Sequence, residues 1–368
     1  MPYQNGVELR IRGHVPPEPF FGGYGECPRS HVGLDHDSDY KYPEDVDRIE
    51  FALDHPPLET EPPAEEEEYT FTITGTKTVR RFDVEDGGGP HVVTGYLDGD
   101  ESAVYVAKIY DGVDFPLIER DDDIDCMTLA DADYATEAWA YETLQPVKEV
   151  SRLLPSYYGA WTFALETGRP RPQRWVRMIL LQLLPGETVL DKIRRATSDD
   201  GVVQQARLPD LETRLRVLRD TFEAERSVCW DGEVLHTDVT PRNVMVSPDG
   251  RVVLFDFNRA VVYPFHYRPH WKHDDGADPL PKSPIEHYWP YSPGAGTFAY
   301  PWSPWVGWVP PSWVENRELA AEWLLETWKN PPPGKYRPLS DYFLNNVAHA
   351  ERSKKLQAAL EKLGRKQA

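Results

Sequence analysis

The sequence predicts an α+β fold whose first half is rich in strands and whose second half is mainly helical. Segments 72–82 and 91–97 are predicted as strands, and the alternating pattern at 103–110 is typical of a half-buried strand. Apolar residues recur at helical spacing over 134–145 and again over 210–225. A chain of 368 residues with 40% hydrophobic content is long enough to bury the core of such a fold.

A group of polar residues between 236 and 258 is the most informative part of the chain. The run H-T-D-V-T-P-R-N at 236–243 is followed, thirteen residues after Asn243, by Asp256. Two short apolar runs separated by the turn S-P-D-G at 247–250 predict a β-hairpin between them. The hairpin should bring Asn243 and Asp256 side by side, with Asp238 a few residues upstream on the incoming loop.

This arrangement suits phosphoryl transfer. Two oxygen ligands held together, Asn243 and Asp256, suit Mg²⁺, which takes few protein ligands and completes its shell with water and nucleotide phosphates. A third carboxylate, Asp238, can accept the proton of an attacking hydroxyl. Phosphoryl transfer depends mainly on positioning and charge neutralisation, which these residues supply. Each residue alone is more commonly a turn or capping residue, so the prediction depends on the full pattern.

The segment resembles the catalytic and metal-binding loops of the protein-kinase-like superfamily, which includes protein kinases and aminoglycoside phosphotransferases. The resemblance implies a bilobal fold with a β-rich N-lobe and a mainly helical C-lobe, ATP and Mg²⁺ as cofactors, and Asp238 as the catalytic base. The strand A-V-Y-V-A-K-I-Y at 103–110 is similar to the kinase strand V-A-I-K, whose lysine holds the α- and β-phosphates. Lys108 would have that role here.

A glutamate partner for Lys108 is expected on the helix that follows. Glu137, Tyr141 and Leu144 share one helical face at i, i+4 and i+7. Resemblance to kinases makes Glu137 the ion-pair partner of Lys108, and Glu142, on another face, is the alternative. The acidic loop at 119–125 accounts for the long connection between the two residues.

Two further nucleotide contacts follow from the resemblance. Gly87, Gly88 and Gly89 lie between two predicted strands where kinases have a glycine-rich loop, and their backbone amides could approach phosphate. They do not match G-x-G-x-x-G, so a flexible hairpin tip is the alternative. Segments 154–161 and 175–184 are predicted as further strands, and backbone groups near Gln182 and Leu184 would hydrogen-bond adenine.

Several positions depart from regulated kinases. Asn258 replaces the glycine of D-F-G, Thr237 stands where an arginine would contact an activation-loop phosphate, and Thr240 replaces a lysine that contacts the γ-phosphate. The segment S-P-I-E at 283–286 resembles A-P-E. Together with A-K-I-Y-D and D-F-N-R-A, this is most similar to fungal-type protein-kinase-like proteins.

The leading functional hypothesis is an ATP- and Mg-dependent phosphotransferase of the protein (Ser/Thr) kinase type. Two alternatives stay open. A small-molecule kinase of the aminoglycoside type is favoured by H-x-D without arginine, but those enzymes lack S-P-I-E. A pseudokinase that serves as a nucleotide- or protein-binding module is favoured by the irregular glycine loop and by Asn258. The acceptor is accordingly a hydroxyl of a protein or of a small molecule.

The predicted domain organisation has four parts: a Pro-rich and acidic N-terminal arm and linker at 1–68, an N-lobe at 69–184, a C-lobe at 185–345 and a basic helical tail at 346–368. The linker contains the acidic stretch 56–68, which is typical of a solvated segment. Residues 7–11 could form an edge strand that docks on the N-lobe.

Composition limits the possible partners. Forty basic against sixty-one acidic residues leave a net charge of −21, which opposes nonspecific nucleic-acid binding. Cys27, Cys126 and Cys229 are far apart, so neither a disulfide framework nor a zinc site is expected. No apolar stretch approaches the length of a membrane span. We therefore expect a soluble intracellular protein, cytoplasmic or nuclear, that does not enter membranes.

Overall fold

The computed structural model describes residues 2–20, 24, 47–60, 67–77, 88–116, 118–119, 124–266, 280–290, 302–344 and 358. The chain divides into two compact units. The first consists of Met1–Ser151, Pro155–Leu184 and Asp256–Pro269, and the second consists of Arg152–Leu154, Pro185–Phe255 and His270–Ala368. Helices and antiparallel sheets are both present, so the fold class is α+β, as predicted.

The first unit contains a closed six-stranded barrel. Its strands belong to the series β1 (Glu8–Gly13), β2 (Glu68–Lys77), β3 (His91–Leu97), β4 (Tyr105–Tyr110), β5 (Ile118–Glu119), β6 (Ile124–Asp125), β7 (Tyr157–Glu166) and β8 (Gln173–Gln182). The order around the barrel is β1-β2-β3-β4-β8-β7, and β5 pairs separately with β6. All the paired strands of the barrel are antiparallel.

Strand β1 closes this barrel. Ile11 pairs with Tyr69 of β2 and also with Phe163 of β7. A strand that docks on the β-rich part of the chain was expected here and is present, but its predicted edge position was wrong. An alternating pattern shows that a strand forms and does not show how many partners it has. The closed sheet has no unpaired edge at β1, and this removes a route to aggregation through strand addition.

The barrel interior is apolar and closely packed. Ile11, Phe71, Ile109 and Met178 are buried there, together with the ring of Phe163. Residues that alternate along each strand share a face of the sheet, so these side chains meet inside the barrel.

A buried charged cluster lies beside the barrel core. The Arg174 guanidinium donates to both carboxylate oxygens of Asp111, at 2.5 and 2.7 Å, and the Tyr3 hydroxyl donates to the same carboxylate at 2.5 Å. The side chain of Asp111 is 0% exposed and that of Arg174 is 7% exposed. Tyr3 therefore attaches the chain before β1 to the end of β4.

Replacing Arg174 with alanine is expected to lower the free energy of unfolding by about 3–5 kcal/mol, because it leaves the Asp111 charge buried without a cation, with only the Tyr3 hydroxyl bonded to it. Urea unfolding followed by circular dichroism measures this change. The matched control is Arg171→Ala on the same hairpin, where the arginine side chain is 50% exposed in its ion pairs. That variant should lose no more than about 1 kcal/mol. Equal losses in the two variants would contradict the argument.

Three helices belong to the first unit: α1 (Arg48–Asp54), α2 (Cys126–Leu144) and α3 (Lys148–Ser151). Helix α2 begins eight residues before the predicted start at 134, with Asp125 accepting hydrogen bonds from the amides of Met127 and Thr128 as its N-cap. Every residue from Cys126 to Ala138 is buried. A helix that is buried on all sides has no polar face, so its first half lacks the periodicity on which the prediction depended.

The second unit is mainly helical. Its elements are α4 (Val189–Ala196), α5 (Leu211–Trp230), α6 (Pro284–His287), α7 (Pro311–Glu315) and α8 (Arg317–Trp328), with strands β9 (Glu187–Thr188), β10 (Val234–Leu235), β11 (Val244–Val246) and β12 (Val252–Leu254). The last strand of the chain, β13 (Val261–Val262), belongs to the first unit. Strands β12, β11 and β9 form a three-stranded sheet.

Aromatic side chains make up much of the core around α5. Phe222 stacks on Tyr288 with ring centroids 3.6 Å apart and meets Trp302 edge-on. Trp289 and Trp305 are also fully buried. The aromatic and proline-rich sequence after S-P-I-E therefore contributes core residues to this unit.

Two sequence expectations about the whole chain can be compared with the described residues. Among the described residues, neither Cys126 nor Cys229 forms a disulfide, and Cys27 lies outside those ranges. Across those same ranges, no helix has both the length and the apolar character that crossing a membrane would need. The predicted basic tail lies outside the described residues except for Ala358.

Candidate active site

Lys108 lies in the middle of β4, where it pairs with Val92 of β3 and Ile179 of β8. Its ammonium group forms ion pairs with the carboxylates of Glu137 and Asp256. The side chain of Lys108 is 9% exposed and that of Glu137 is 0% exposed. The predicted pair of Lys108 with Glu137 is therefore present, whereas Glu142, the alternative partner, is exposed on another face of α2.

The cluster of Lys108, Glu137 and Asp256 contains two carboxylates and one ammonium group. Burial lowers the pKa of Lys108, but the charges of Asp256 and Glu137 outweigh it and raise the pKa above the ordinary value. Burial raises the pKa of Glu137, against the attraction of Lys108, and the charge of Asp256 raises it further. Two carboxylates share one ammonium group, so the cluster has a negative charge in excess that an added cation would neutralise.

Tyr110 is a member of this cluster that the sequence analysis missed. Its hydroxyl donates to Glu137 Oε2 at 2.5 Å, and its ring centroid lies 5.7 Å from the Lys108 Nζ. The available signal was its position two residues after Lys108, because alternate residues of a strand lie on the same face. Tyr110 holds Glu137 from the same strand that carries Lys108.

The residues after β12 contact helix α2. Asp256 has a φ of 69°, in the left-handed region that aspartate and asparagine adopt more readily than most residues. The amide of Phe257 donates to Glu137 Oε1 at 3.3 Å, and its buried ring meets Tyr141 edge-on with centroids 5.3 Å apart. These contacts hold Asp256 next to Lys108 in a conformation that needs support from its surroundings.

Asp238 lies in the loop between β10 and β11, in the second unit. Its Oδ2 accepts hydrogen bonds from Arg242 Nη2 at 2.7 Å and from Asn243 Nδ2 at 2.9 Å. No local pattern in the sequence indicated the contact between Arg242 and Asp238. The preceding residue, Thr237, has a φ of 56°, which is unusual for a β-branched side chain and indicates a strained loop.

The predicted hairpin follows this loop. Val244 of β11 pairs with Leu254 of β12, and the amide of Phe255 donates to the carbonyl of Asn243 at 3.2 Å. Asn243 therefore lies opposite the residue that immediately precedes Asp256. His236 is fully buried and donates from Nε2 to the carbonyl of Phe255 at 3.0 Å, which ties the start of the loop to the end of the hairpin.

Asn243 and Asp256, the predicted ligands of Mg²⁺, each carry a side-chain oxygen of the kind that Mg²⁺ prefers. Asn243 uses Nδ2 to donate to both the carbonyl and the carboxylate of Asp238, which leaves its Oδ1 as the atom that could bind a metal. The Asp256 side chain is 27% exposed, so its carboxylate can be reached from solvent. Within the described ranges, no group of three or more His, Cys, Asp and Glu side chains could hold a metal ion. Proteins usually bind Mg²⁺ through a small number of ligands, all of them oxygen atoms.

The predicted glycine loop is described only in part, since Gly87 lies outside the described residues. The amide of Gly89 donates to the carbonyl of Asp114 at 2.9 Å. A Cβ on Gly88 would lie 2.4 Å from that same carbonyl oxygen, so only glycine fits this close approach. The two described glycines thus pack against the turn after β4, and contact of all three with phosphate stays a prediction.

The predicted adenine contacts lie where β8 ends. The backbone N–H of Gln182 donates to the backbone carbonyl of Ser156 at 2.8 Å. Among the described residues, no partner is found for the backbone amide or carbonyl groups of Leu183 and Leu184. Leu183 is also 44% exposed. Free peptide groups beside an apolar side chain are compatible with binding a planar base, and this role also stays a prediction.

In the first unit, a lysine on barrel strand β4 pairs with a glutamate on helix α2. In the second unit, an aspartate–asparagine loop precedes a hairpin. Both features resemble parts of the phosphotransferase sites of the protein-kinase-like superfamily. Residues 111–288 match the model of a family described as the phosphotransferase enzyme family (APH). The match supports the assignment to the protein-kinase-like superfamily and supports phosphotransferase activity. It includes Glu137, Asp238, Asn243 and Asp256 and begins three residues after Lys108. No curated protein matched the chain.

Proposed function

We propose that the protein is an ATP- and Mg-dependent phosphotransferase that acts on a hydroxyl acceptor. The observation that carries the proposal is the position of Lys108, a buried cation paired with both Glu137 and Asp256. One carboxylate would be enough to neutralise a lysine with a purely structural role. The second carboxylate adds a negative charge that a bound Mg²⁺ would neutralise. The barrel unit would serve as the N-lobe of a kinase-like fold and the helical unit as the C-lobe.

Each residue has a defined role in this proposal. Lys108 holds the α- and β-phosphates of ATP, and Glu137 positions Lys108. Asn243 and Asp256 hold Mg²⁺, which, when bound, neutralises charge on the phosphates. Asp238 accepts the proton of the acceptor hydroxyl as its oxygen bonds to the γ-phosphorus and the bond from that phosphorus to the ADP oxygen breaks.

A protein acceptor is the version we favour, on the evidence of the S-P-I-E segment. Glu286 accepts a hydrogen bond from the Ser340 hydroxyl at 2.7 Å, and its carboxylate lies 3.8 Å from the Arg337 guanidinium. Both charged side chains are nearly buried. The segment is thus anchored in the second unit in the way expected of a structural feature that resembles A-P-E in protein kinases.

A small-molecule acceptor is the second candidate. It is favoured by the family match, which describes a phosphotransferase enzyme family without naming a protein acceptor. Thr240, in place of the lysine that contacts the γ-phosphate in serine/threonine kinases, also favours it. A screen that offers peptides with serine or threonine and small alcohols, with ADP release as the readout, separates the two candidates.

Binding of nucleotide is tested by thermal unfolding with ATP, with and without Mg²⁺. A ligand that binds only the folded state stabilises it by about 2.7 kcal/mol at a hundredfold excess over its Kd, so we expect a Mg-dependent rise in Tm. Lys108→Met should abolish the rise, measured against the variant's own Tm without ligand. Lys329→Met, at an exposed lysine, is the matched control and should retain it.

The absence of any shift at millimolar ATP would contradict the proposal and leave a module that binds proteins as the alternative. A shift with ATP that no acceptor converts into turnover would instead favour a nucleotide-binding pseudokinase.

A further inference from the structure

The residue after Phe257 makes an unusual contact with helix α2. Asn258 donates from Nδ2 to Asp133 Oδ2 at 2.8 Å. Asp133 is buried and lies one helical turn before Glu137, so the two carboxylates project from neighbouring positions on the helix. Glu137 in turn accepts the amide of Phe257. Two successive turns of α2 therefore hold two successive residues of the chain.

Three consecutive residues are thus tied to one helix. Asp256 is joined to Glu137 through Lys108, Phe257 is bonded to Glu137 directly, and Asn258 is bonded to Asp133. A glycine at position 258, as in the motif D-F-G, has no side chain and could not form the third contact.

We propose that Asn258 and Asp133 are positioning residues that keep Asp256 against Lys108 and Glu137 before nucleotide binds. The inference rests on the proposed function, since it assigns these residues an effect on the site for ATP and Mg²⁺. Asn258 would hold the backbone that carries Asp256, and Asp133 would hold the side chain of Asn258. Neither residue is expected to touch the nucleotide.

The next residues of the chain are held as well, which supports the proposal. The Tyr24 hydroxyl donates to the carbonyl of Ala260 at 2.9 Å and accepts the amide of Val262 at 2.7 Å. Burial raises the pKa of Tyr24 to about 12, so this hydroxyl keeps its proton at neutral pH. Residues 257–262 are therefore attached at both ends, and the left-handed conformation of Asp256 is maintained by contacts on its C-terminal side.

The test exchanges the two partners. Asn258→Asp places a carboxylate against that of Asp133, and we expect amide hydrogen exchange in 256–262 to rise by about tenfold or more, the scale expected for losing a hydrogen bond to a charged group. The KM for ATP should rise by a similar factor, with a smaller change in kcat. Combining Asn258→Asp with Asp133→Asn restores a donor opposite an acceptor and should return both measurements to within about threefold of wild type.

Two further variants make the result specific. Asn258→Ala removes the contact without adding charge, and it should raise exchange in the same segment even if the aspartate variant does not fold. Asp131→Asn changes another buried carboxylate of α2, one that accepts the amide of Leu58, and it should leave exchange in 256–262 unchanged.

The inference is overturned if Asn258→Asp and Asn258→Ala leave both exchange and the KM for ATP unchanged, or if the exchanged pair behaves like the single variant. Hydrogen exchange needs no turnover, so it reports on this contact even in a protein that lacks activity. Failure of wild type to bind ATP would instead overturn the proposed function, and with it the effect on KM, while the exchange data would still decide whether the contact holds the segment.

Discussion

Replacement of Asp238 by asparagine is expected to lower kcat for phosphoryl transfer by about 10²–10⁴-fold, the usual contribution of a general base. The amide cannot accept the proton of the acceptor hydroxyl, yet it has nearly the same shape. Its oxygen can still accept hydrogen bonds from Arg242 and Asn243, which contact Asp238 Oδ2 at 2.7 and 2.9 Å. The KM for ATP and the Mg-dependent rise in Tm should therefore change little. Steady-state kinetics and thermal unfolding measure both.

The control for Asp238→Asn is the same change at an aspartate with no proposed role, Asp249 in the turn of the β11–β12 hairpin. Its side chain is 56% exposed, and Asp249→Asn should retain full activity. If Asp238→Asn kept the wild-type kcat, Asp238 would not be the base. If it lost ATP binding together with kcat, its effect would be structural.

Replacement of Asp256 by asparagine should have the second large effect, a loss of about 10³-fold in kcat/KM, because the variant lacks both the charge of the proposed metal ligand and one anionic partner of Lys108. This corresponds to about 4 kcal/mol of transition-state stabilisation, in the range expected for metal-assisted catalysis. Asparagine tolerates the left-handed φ of 69° at this position, so the backbone should be kept. The Mg²⁺ concentration needed for half-maximal activity should rise, and titration with Mg²⁺ measures this.

Asp98 offers a close control for the backbone. It also has a positive φ, of 46°, and its carboxylate accepts the amide of Thr70 in the barrel. Asp98→Asn should leave the Mg²⁺ requirement unchanged. A wild-type Mg²⁺ requirement in Asp256→Asn would remove Asp256 from the metal site and leave it only as an ion-pair partner of Lys108.

The sequence was sufficient for features that depend on local spacing. The hairpin from 244 to 254 was predictable because two apolar runs and a turn are contiguous in the chain. The resemblance to kinases implied a helical glutamate as the partner of Lys108, and helical periodicity favoured Glu137 over Glu142, since only Glu137 shares a face with Tyr141 and Leu144. The match of residues 111–288 to a phosphotransferase family agrees with the superfamily that these motifs indicated.

Several features that the sequence did not reveal join residues distant in the chain. Ile11 pairs with Phe163 to close the barrel, and Asn258 bonds to Asp133 across 125 positions. Such contacts leave no periodic signal, because each depends on where two separate elements are placed by the packing of the whole unit. The early start of α2 was missed for a related reason, since burial on every side removes the polar face that marks a helix in a sequence.

The sequence by itself therefore determined the chemical groups of the candidate site and their local order, namely a strand lysine, a helical glutamate, an aspartate loop and a hairpin. Only the tertiary structure decided that Lys108 pairs with two carboxylates at once and that Tyr110 bonds to Glu137. It also decided that Asn258 bonds to Asp133 and that β1 completes the barrel. The physical reason is that these interactions act over different distances along the chain. Backbone propensity and side-chain periodicity act over a few residues, whereas the pairing of buried charges depends on which surfaces the fold removes from water.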